Sequence, residues 1–334
     1  MPNLRTELQD LRPAASQPHA AWSRGRPGFS PTIGVVITTY QAAAYVDQAL
    51  ASIAGQTRPA DRIVLVDDAS TDATVARVRT WQRHLPIDLV VQPVNGGVAR
   101  ARNAGLARLD TDVVAILDGD DVLLPDHLQL LGDLHEINGG IISPMAMFWT
   151  PGHAPRPYQR RLRGFVPPKD DQLRRLIHRN FVFVASVMSR FDIDAVGGFA
   201  EGDRAQDTTA DWDLWLRLTA KGCHVTQGPF PTVLYRVHAG SMASDAGSLL
   251  RAEIQQLERA RTFLPEHLET TVVEAIGNRR AELELLEDCA GSRFEQARRA
   301  VGPGGGDWRN RARALAGATA PGAAAKLLRR RGCW

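Results

Sequence analysis

Residues 113–121 read Val-Val-Ala-Ile-Leu-Asp-Gly-Asp-Asp, an apolar run that ends in a cluster of carboxylates. A continuous apolar run of this kind is typical of a strand that is buried on both faces of a parallel sheet. Comparable runs occur earlier, at 33–38, 62–66 and 87–91, with helical patterns between them. Strands that alternate with helices predict an α/β fold, in which a mostly parallel, Rossmann-like sheet is flanked by helices.

Carboxylates follow two of these predicted strands. Asp67 and Asp68 end the second run, and Asp118, Asp120 and Asp121 end the fourth. Ligands of such sheets bind outside the carboxyl ends of the strands, so both clusters are expected at one edge. Neighbouring carboxylates repel one another unless a cation or hydrogen-bond donors hold them, and Mg²⁺ or Mn²⁺ binds carboxylates together with substrate phosphates. The second cluster therefore predicts a divalent cation.

Each cluster also has a purely structural explanation. The Asp118-Gly119 pair could form a turn that caps the following helix. In the other cluster, Thr71 or Asp72 could be the N-cap residue of the next helix. An N-cap does not account for two acids at the strand end, where a carboxylate can accept hydrogen bonds from a base or a ribose hydroxyl.

The composition is that of an ordinary globular protein. The chain has 334 residues, 44% of them hydrophobic and 23% charged, which excludes a disordered or fibrous protein. Three widely spaced cysteines without a C-x-x-C pair indicate neither a disulfide framework nor a zinc module, and they favour a reducing compartment. No apolar stretch approaches the about 20 residues that cross a bilayer, and no signal peptide is recognised. We expect a cytoplasmic protein.

Four regions are expected along the chain: a flexible leader (1–31), the α/β domain (32–242), a helical extension (243–301) and a Gly-rich hinge with a basic tail (302–334). The net charge of +3 hides an asymmetry, because residues 291–334 carry +8 and residues 31–290 carry −7. We predict that the tail makes peripheral contact with the anionic inner face of the cytoplasmic membrane. A nucleic-acid-binding tail is the alternative, although the near-zero net charge argues against a general nucleic-acid binder.

Four segments together resemble family 2 glycosyltransferases of the GT-A fold, in that family's order and spacing: Val35-Val-Ile-Thr-Thr-Tyr-Gln41, Val66-Asp-Asp-Ala-Ser-Thr-Asp72, Asn95-Gly-Gly-Val-Ala-Arg-Ala-Arg-Asn103 and Leu117-Asp-Gly-Asp-Asp121. The likeness covers about residues 33–240. It implies an inverting enzyme that moves a sugar from a nucleoside-diphosphate sugar, foremost a UDP-sugar, to an acceptor hydroxyl with the help of Mn²⁺ or Mg²⁺. By analogy with bacterial members, the acceptor would be a glycan or a lipid-linked precursor of surface polysaccharide.

The resemblance also implies roles for single residues. The nucleotide side would comprise Thr38, Tyr40, Asp68, Arg102 and Asp118, with Asp68 reading the base and Asp118 near the ribose. Asp120 would bind the metal that bridges the diphosphate. His238, in the matching segment Tyr235-Arg-Val-His-Ala-Gly240, would meet that metal or the diphosphate. The segment Gly197, Gly198 and Phe199 would lie near the acceptor. Because Arg100 and Arg102 are two apart on a predicted helix, only one of them is expected to point into the site.

Asp211 is the predicted catalytic base. The segment Asp211-Trp-Asp-Leu-Trp-Leu-Arg217 resembles the family's acidic motif, and a carboxylate within hydrogen-bond reach can take the proton of an attacking hydroxyl. The family usually has Glu before this Asp, whereas this chain has Ala210. The alternative is a capping box between Thr208 and Asp211, with the following tryptophans as core anchors; Asp213 is expected to be structural.

Other functions stay open at this point. Ala210 leaves room for a non-catalytic nucleotide-sugar-binding partner of another glycosyltransferase, and two glycines or a lone histidine can equally be structural. An oxidoreductase or a kinase is disfavoured, because neither G-x-G-x-x-G after a strand nor G-x-x-x-x-G-K-[ST] occurs.

Overall fold

The computed structural model describes residues 31–150, 152–157, 167–202, 207–238 and 245–289. The chain divides into two compact units, Met1–Ser241 and Met242–Trp334. The predicted leader, apart from Pro31, and the predicted hinge and basic tail lie outside the described residues.

The first unit is built on one mixed sheet of nine strands: β1 (Ile33–Thr39), β2 (Arg62–Asp67), β3 (Ile87–Val91), β4 (Val113–Asp118), β5 (Val122–Leu123), β6 (Ile141–Trp149), β7 (Arg156–Pro157), β8 (Val187–Ser189) and β9 (Val225–Arg236). The strand order is β3-β2-β1-β4-β8-β6-β9-β5, and β7 pairs with β6. The flanking helices are α1 (Val46–Ala54), α2 (Thr74–Trp81), α3 (Val98–Leu106), α4 (His127–Asn138), α5 (Gln172–His178), α6 (Arg190–Ala195) and α7 (Ala210–Ala220).

The first half of the sheet forms as the apolar runs predict. Strands β3, β2, β1 and β4 pair in parallel, and every residue of β1 is buried. Continuous apolar sequence is required here because helices cover the sheet. The predicted α/β fold with a flanked sheet is confirmed.

The second half of the sheet is mixed. Strand β8 runs antiparallel to both β4 and β6, and β5 runs antiparallel to β9. Of the apolar run 181–188, only the end enters a strand, while residues 181–186 are buried in irregular backbone. Burial alone therefore explains this run, and its apolar character did not distinguish a strand from a packed loop.

The strand ends around β1 bring the two acidic clusters together. Thr39 lies opposite Asp67 of β2, and Thr38 lies opposite Asp118 of β4. Gly119 allows the chain to turn back over β1, because a Cβ at this position would lie only 2.4 Å from Thr39 Cγ2. The carboxyl edge of the sheet therefore carries both clusters, as predicted.

The last strand of the sheet returns to the same edge. Strand β9 is parallel to β6, with Arg236 opposite Trp149, and antiparallel to β5, with Leu234 opposite Val122. Because β5 begins directly after Asp121, this pairing brings the end of β9 to the second acidic cluster.

The second unit is described as a pair of helices, α8 (Ala246–Ala260) and α9 (Glu269–Cys289), with a 3-10 turn at Glu266–Leu268 between them. Asp245 caps α8 by accepting the backbone N–H of Gly247. Arg279 of α9 pairs with Glu253 of α8 at 2.7 Å. The C-terminal part is thus helical, as predicted. No helix within the described part of the chain is both long and apolar enough to span a membrane.

Candidate active site

The first acidic cluster organises the backbone of the site. Asp67 is fully buried and accepts hydrogen bonds from the Thr39 hydroxyl (3.1 Å) and from the Ser70 backbone N–H (2.8 Å). The Asp68 carboxylate accepts the backbone N–H groups of Gly96 and Gly97, one on each oxygen, both at 2.8 Å. Asp68 thereby fixes the turn before α3. Contact with a base would have to use the lone pairs that these bonds leave.

The carboxylate of Asp72 accepts a hydrogen bond from the first residue of α2. Its Oδ1 accepts the backbone N–H of Thr74, the first residue of the helix, at 2.9 Å, and its Oδ2 accepts that of Ala43 at 3.1 Å. The N-cap residue of α2 is Ala73, so the prediction that Thr71 or Asp72 occupies this position is wrong, although the Asp72 carboxylate does bind the first N–H of the helix. The hydrogen bonds of Asp67 and Asp68 go instead to β1, the Ser70 turn and the glycine turn.

Arg102 and Asp118 form an ion pair at the centre of the edge. Arg102 Nη2 lies 2.7 Å from Asp118 Oδ1, and the Thr38 hydroxyl donates to the same oxygen at 3.3 Å. Arg102 is 3% exposed, whereas Arg100 is exposed. One arginine of the two faces inward, as predicted. The Tyr40 ring, assigned by resemblance to the nucleotide pocket, is 52% exposed at the same end of β1.

Asp120 and His238 lie side by side, although 118 positions separate them in sequence. His238 Nε2 is 2.8 Å from Asp120 Oδ2, and both side chains are partly exposed. The Tyr45 ring packs on the imidazole with a centroid distance of 4.8 Å. The two residues that the resemblance assigned to a metal are therefore neighbours in the fold.

The second cluster is electrostatically crowded. Burial raises the pKa of Asp120, the Asp118 charge adds to the rise, and His238 opposes it. Burial, followed by the charges of Asp120 and Asp118, raises the pKa of Asp121 well above its usual range. Asp121 Oδ1 accepts the backbone N–H of Arg236 at 2.9 Å, and its buried Oδ2 has no partner among the described residues. Additional positive charge at this point would relieve the repulsion.

Within the described ranges, no three or more His, Cys, Asp or Glu side chains are grouped so as to hold a metal ion. Asp120 and His238 offer one carboxylate and one imidazole. That donor set fits Mn²⁺ or Mg²⁺ only if substrate phosphates complete the coordination, which is how these ions commonly bind.

Asp211 lies in the first turn of α7 and faces the same region. Asn180 Nδ2 donates to its Oδ2 at 3.1 Å. Burial raises the pKa of Asp211; the charge of Arg102 opposes this rise and that of Asp118 adds to it. Because those two groups act on Asp211, the side chain belongs to their electrostatic surroundings. A raised pKa suits a general base, since it brings proton affinity closer to the operating pH.

The alternative explanation for the start of α7 is wrong in one part, the capping box. The N-cap residue is Thr209 rather than Thr208, and it makes no side-chain capping bond, so the proposed capping box does not form. The core-anchor part is correct, because Trp212 and Trp215 are 2% and 0% exposed. The expectation that Asp213 is structural is also confirmed by its 2.6 Å ion pair with Arg217. Ala210 is buried, and no carboxylate stands at its position.

The Gly197, Gly198 and Phe199 segment is attached to α3 by Asn103. Asn103 Nδ2 donates to the Phe199 carbonyl, and its Oδ1 accepts the Phe199 N–H, both at 2.8 Å. Gly197 and Gly198 have φ of 78° and 72°, and a Cβ at Gly198 would lie 2.7 Å from Asn103 Oδ1. Phe199 is 2% exposed, and its ring lies 5.2 Å from Arg102 Cζ. Because Phe199 is buried, only the two glycines of this segment are placed to contact an acceptor.

Sequence reasoning missed four polar residues of this region. Asn103 lies in a segment that was quoted for the resemblance, and Arg236 lies two positions before His238; these positions were the available signal. Asn180 lies outside the segments quoted for the resemblance, directly before the apolar stretch 181–188. Asp207 carried no signal either; its carboxylate accepts the Ala99 N–H at 3.4 Å, and burial raises its pKa.

Comparisons with known proteins identify the family of the chain. The profile of Glycosyl transferase family 2 matches residues 34–196. The amylovoran biosynthesis glycosyltransferase AmsE of Erwinia amylovora is 30% identical over 200 residues, which are 59% of this chain and 71% of AmsE. The chain belongs to glycosyltransferase family 2.

Solved structures show the same fold. Staphylococcus aureus TarS 1–349, in complex with UDP-GlcNAc, superposes with a TM-score of 0.57 at 18% identity, over 79% of this chain and 77% of that one. The mannosyltransferase PcManGT from Pyrobaculum calidifontis, in complex with GDP-Man and Mn²⁺, gives a TM-score of 0.56 at 19% identity, over 83% and 82%. The predicted GT-A type of fold is confirmed.

Proposed function

We propose that this glycosyltransferase moves a sugar from a nucleoside-diphosphate sugar to an acceptor hydroxyl with inversion at the anomeric carbon. One observation carries the proposal. Arg102 binds Asp118 at 2.7 Å, and its positive charge also opposes the burial-induced rise in the pKa of Asp211, which lies in α7. A donor-side carboxylate and a candidate base therefore share one electrostatic environment, as a single-displacement reaction needs.

The donor side of the proposal rests on the carboxyl edge of the sheet. Thr38, Tyr40 and Asp68 would line the nucleotide pocket, and Arg102 with Asp118 would lie nearer the ribose and the diphosphate. The UDP-GlcNAc bound by TarS, a structure of the same fold, supports a nucleotide sugar, foremost a UDP-sugar.

A divalent cation would be held by Asp120 and His238 together with the diphosphate of the donor. The raised pKa of Asp120, caused by burial and by Asp118, supports a site that takes positive charge. When bound, the cation would offset the negative charge that develops on the leaving diphosphate. Mn²⁺ in the PcManGT structure supports the choice of ion.

Asp211 would act as the base. The acceptor oxygen bonds to the anomeric carbon as the bond from that carbon to the diphosphate oxygen breaks, and the acceptor proton passes to the Asp211 carboxylate. The Asn180 amide, which donates to Asp211 at 3.1 Å, would orient the carboxylate. Attack from the face opposite the leaving group accounts for inversion.

The acceptor would be a glycan or a lipid-linked precursor of a surface polysaccharide. AmsE, an amylovoran biosynthesis enzyme, supports this class of product. The acceptor would approach Gly197 and Gly198. The basic tail would hold the enzyme at the inner face of the membrane, a proposal that liposome binding tests, since salt-insensitive binding or none would contradict it.

The test of the function is a donor panel. The protein is incubated with UDP- and GDP-sugars and Mn²⁺, and thermal shift and nucleoside diphosphate release are measured. Stabilisation by one donor class, with product of inverted configuration, is expected. If no nucleotide sugar shifts the unfolding temperature, the proposal fails.

Ala210 favours one second candidate, a non-catalytic nucleotide-sugar-binding partner of another glycosyltransferase, because the usual Glu is missing there. Donor binding without any transfer product, across acceptors and with Asp211 intact, would select that candidate.

A further inference from the structure

Arg236 is a buried arginine at the end of β9 that contacts the loop of the proposed metal site. Its side chain is 2% exposed. Its Cζ lies 4.3 Å from the centroid of the Trp149 ring and 4.9 Å from that of the Tyr45 ring. The β6–β9 register places Trp149 directly opposite. Two aromatic neighbours and burial restrict the guanidinium to one orientation.

The hydrogen bonds of Arg236 go to the loop that carries the acidic cluster. Its Nε donates to the Asp120 carbonyl at 2.6 Å, and its backbone N–H donates to Asp121 Oδ1 at 2.9 Å. Its Nη2 donates to Gln48 Oε1 on α1. Arg236 therefore connects the backbone of Asp120 to α1 and to the end of β9. Asp120 and Arg236 are 116 positions apart in the sequence.

The same residue fixes the second proposed ligand. His238 follows Arg236 by two positions, and its imidazole meets Asp120 Oδ2 at 2.8 Å. Tyr45 contacts both Arg236 and His238. The spacing between the Asp120 carboxylate and the His238 ring is thus set by one aromatic contact and one guanidinium.

The positive charge of Arg236 also stabilises the acidic loop. The guanidinium lies against the loop that carries Asp118, Asp120 and Asp121, three acidic residues. Arginine remains protonated in proteins even when burial lowers its pKa, so the positive charge persists. A lysine would keep the charge but could not reproduce the planar set of donors.

We propose that Arg236 is a positioning residue, which sets the distance and orientation of Asp120 and His238 so that a divalent cation and the donor diphosphate bind together. It touches neither the cation nor the substrate. The inference rests on the proposed function, because it assigns to Arg236 the task of assembling that function's metal site.

The experiment measures Mn²⁺ affinity in the presence of UDP, by electron paramagnetic resonance of free Mn²⁺. Wild type, Arg236→Lys and a matched control, Arg279→Lys, are compared below their unfolding temperatures. Arg279 is also buried and paired, but it lies in the second unit. We expect Arg236→Lys to weaken Mn²⁺ binding by about tenfold, as loss of groups that orient metal ligands does. The control should retain wild-type affinity.

The outcomes separate the two proposals. If the wild type binds Mn²⁺ with UDP and Arg236→Lys binds it equally well, Arg236 is merely structural and the inference is overturned. If the wild type binds neither UDP nor Mn²⁺, the proposed function itself fails. If Arg236→Lys does not fold, Gln48→Leu removes one acceptor of the guanidinium; a smaller weakening of Mn²⁺ binding is expected there, and an unchanged affinity overturns the inference.

Discussion

Arg102 and Asp118 are joined by a 2.7 Å ion pair that links α3 to the end of β4. The Arg102 side chain is 4% exposed and that of Asp118 is 25% exposed, so one partner is inside the protein and the other reaches the surface of the site. The same guanidinium packs on Phe199, and its charge opposes the rise in the pKa of Asp211 that burial causes. A single inward arginine thus connects the donor side, the Gly-Gly-Phe segment and the candidate base.

Arg102→Met should lower both stability and donor affinity. Breaking a fully buried ion pair costs about 3 to 5 kcal/mol, and because Asp118 is partly solvated we expect about 1 to 3 kcal/mol here. Urea unfolding measures this loss, and calorimetry with UDP measures the affinity. Arg100→Met, two positions away and exposed, is the control and should leave both quantities unchanged. Equal effects of the two substitutions would contradict the inward role of Arg102.

Asp211→Asn should retain nucleotide-sugar binding and lose transfer. The amide cannot take a proton, and loss of general-base catalysis costs about 10² to 10⁴-fold in rate. Asp213→Asn, in the same helix turn, should instead reduce stability, because it weakens the ion pair with Arg217, while turnover per folded enzyme persists. Steady-state kinetics and thermal unfolding distinguish the two. Full activity of Asp211→Asn would remove it from the mechanism.

The sequence was sufficient for features that depend on local pattern. The apolar runs at 33–38, 62–66 and 113–117 predicted the parallel strands because a strand buried on both faces must be apolar throughout. The spacing of Arg100 and Arg102 predicted that one faces inward, because residues two apart occupy different helix faces.

Contacts between distant segments could not be predicted from the sequence. Nothing local indicates that Asp68 binds the backbone of Gly96 and Gly97, or that Arg236 reaches the Asp120 carbonyl. Most of the apolar stretch 181–188 packs as a buried loop, because apolar character reports burial and not backbone conformation.

The pH dependence of the free energy of unfolding should reveal the electrostatic repulsion in the second acidic cluster. Burial and the neighbouring Asp120 and Asp118 raise the folded pKa of Asp121. An acid with a raised folded pKa binds its proton more tightly in the folded state, so its contribution to stability is greatest at low pH and is lost as pH rises through that pKa. At pH 7, Asp121 is therefore destabilising.

Asp121→Asn should accordingly raise the unfolding temperature at pH 7 by about 2 to 4 °C, which corresponds to about 1 kcal/mol in a domain of this size. The amide oxygen can still accept the Arg236 N–H. The gain should shrink as the pH falls from 7 toward 4, because the raised folded pKa lets the wild-type carboxyl take up its proton. Thermal unfolding across this range is the measurement, with the exposed Asp88→Asn as control. A gain that is independent of pH would contradict the electrostatic explanation.

Asn103→Ala should affect the acceptor more than the donor. The side chain holds the Phe199 backbone with two hydrogen bonds of 2.8 Å and donates a third to Glu201. Each such bond contributes about 0.5 to 1.5 kcal/mol, so stability should fall and the Gly-Gly-Phe segment should loosen from α3. We expect the acceptor KM to rise several-fold while UDP affinity changes little, because the Arg102–Asp118 pair is retained.

Asn138→Ala is a suitable control for this substitution, since Asn138 makes one hydrogen bond within α4, to the Leu134 carbonyl. It should leave both KM values at the wild-type level. If Asn103→Ala raises the donor KM and leaves that of the acceptor unchanged, the Gly197–Gly198 segment does not belong to the acceptor side. The glycines would then serve only to bring the Phe199 ring beneath Arg102, and the acceptor would have to approach Asp211 from another part of the edge.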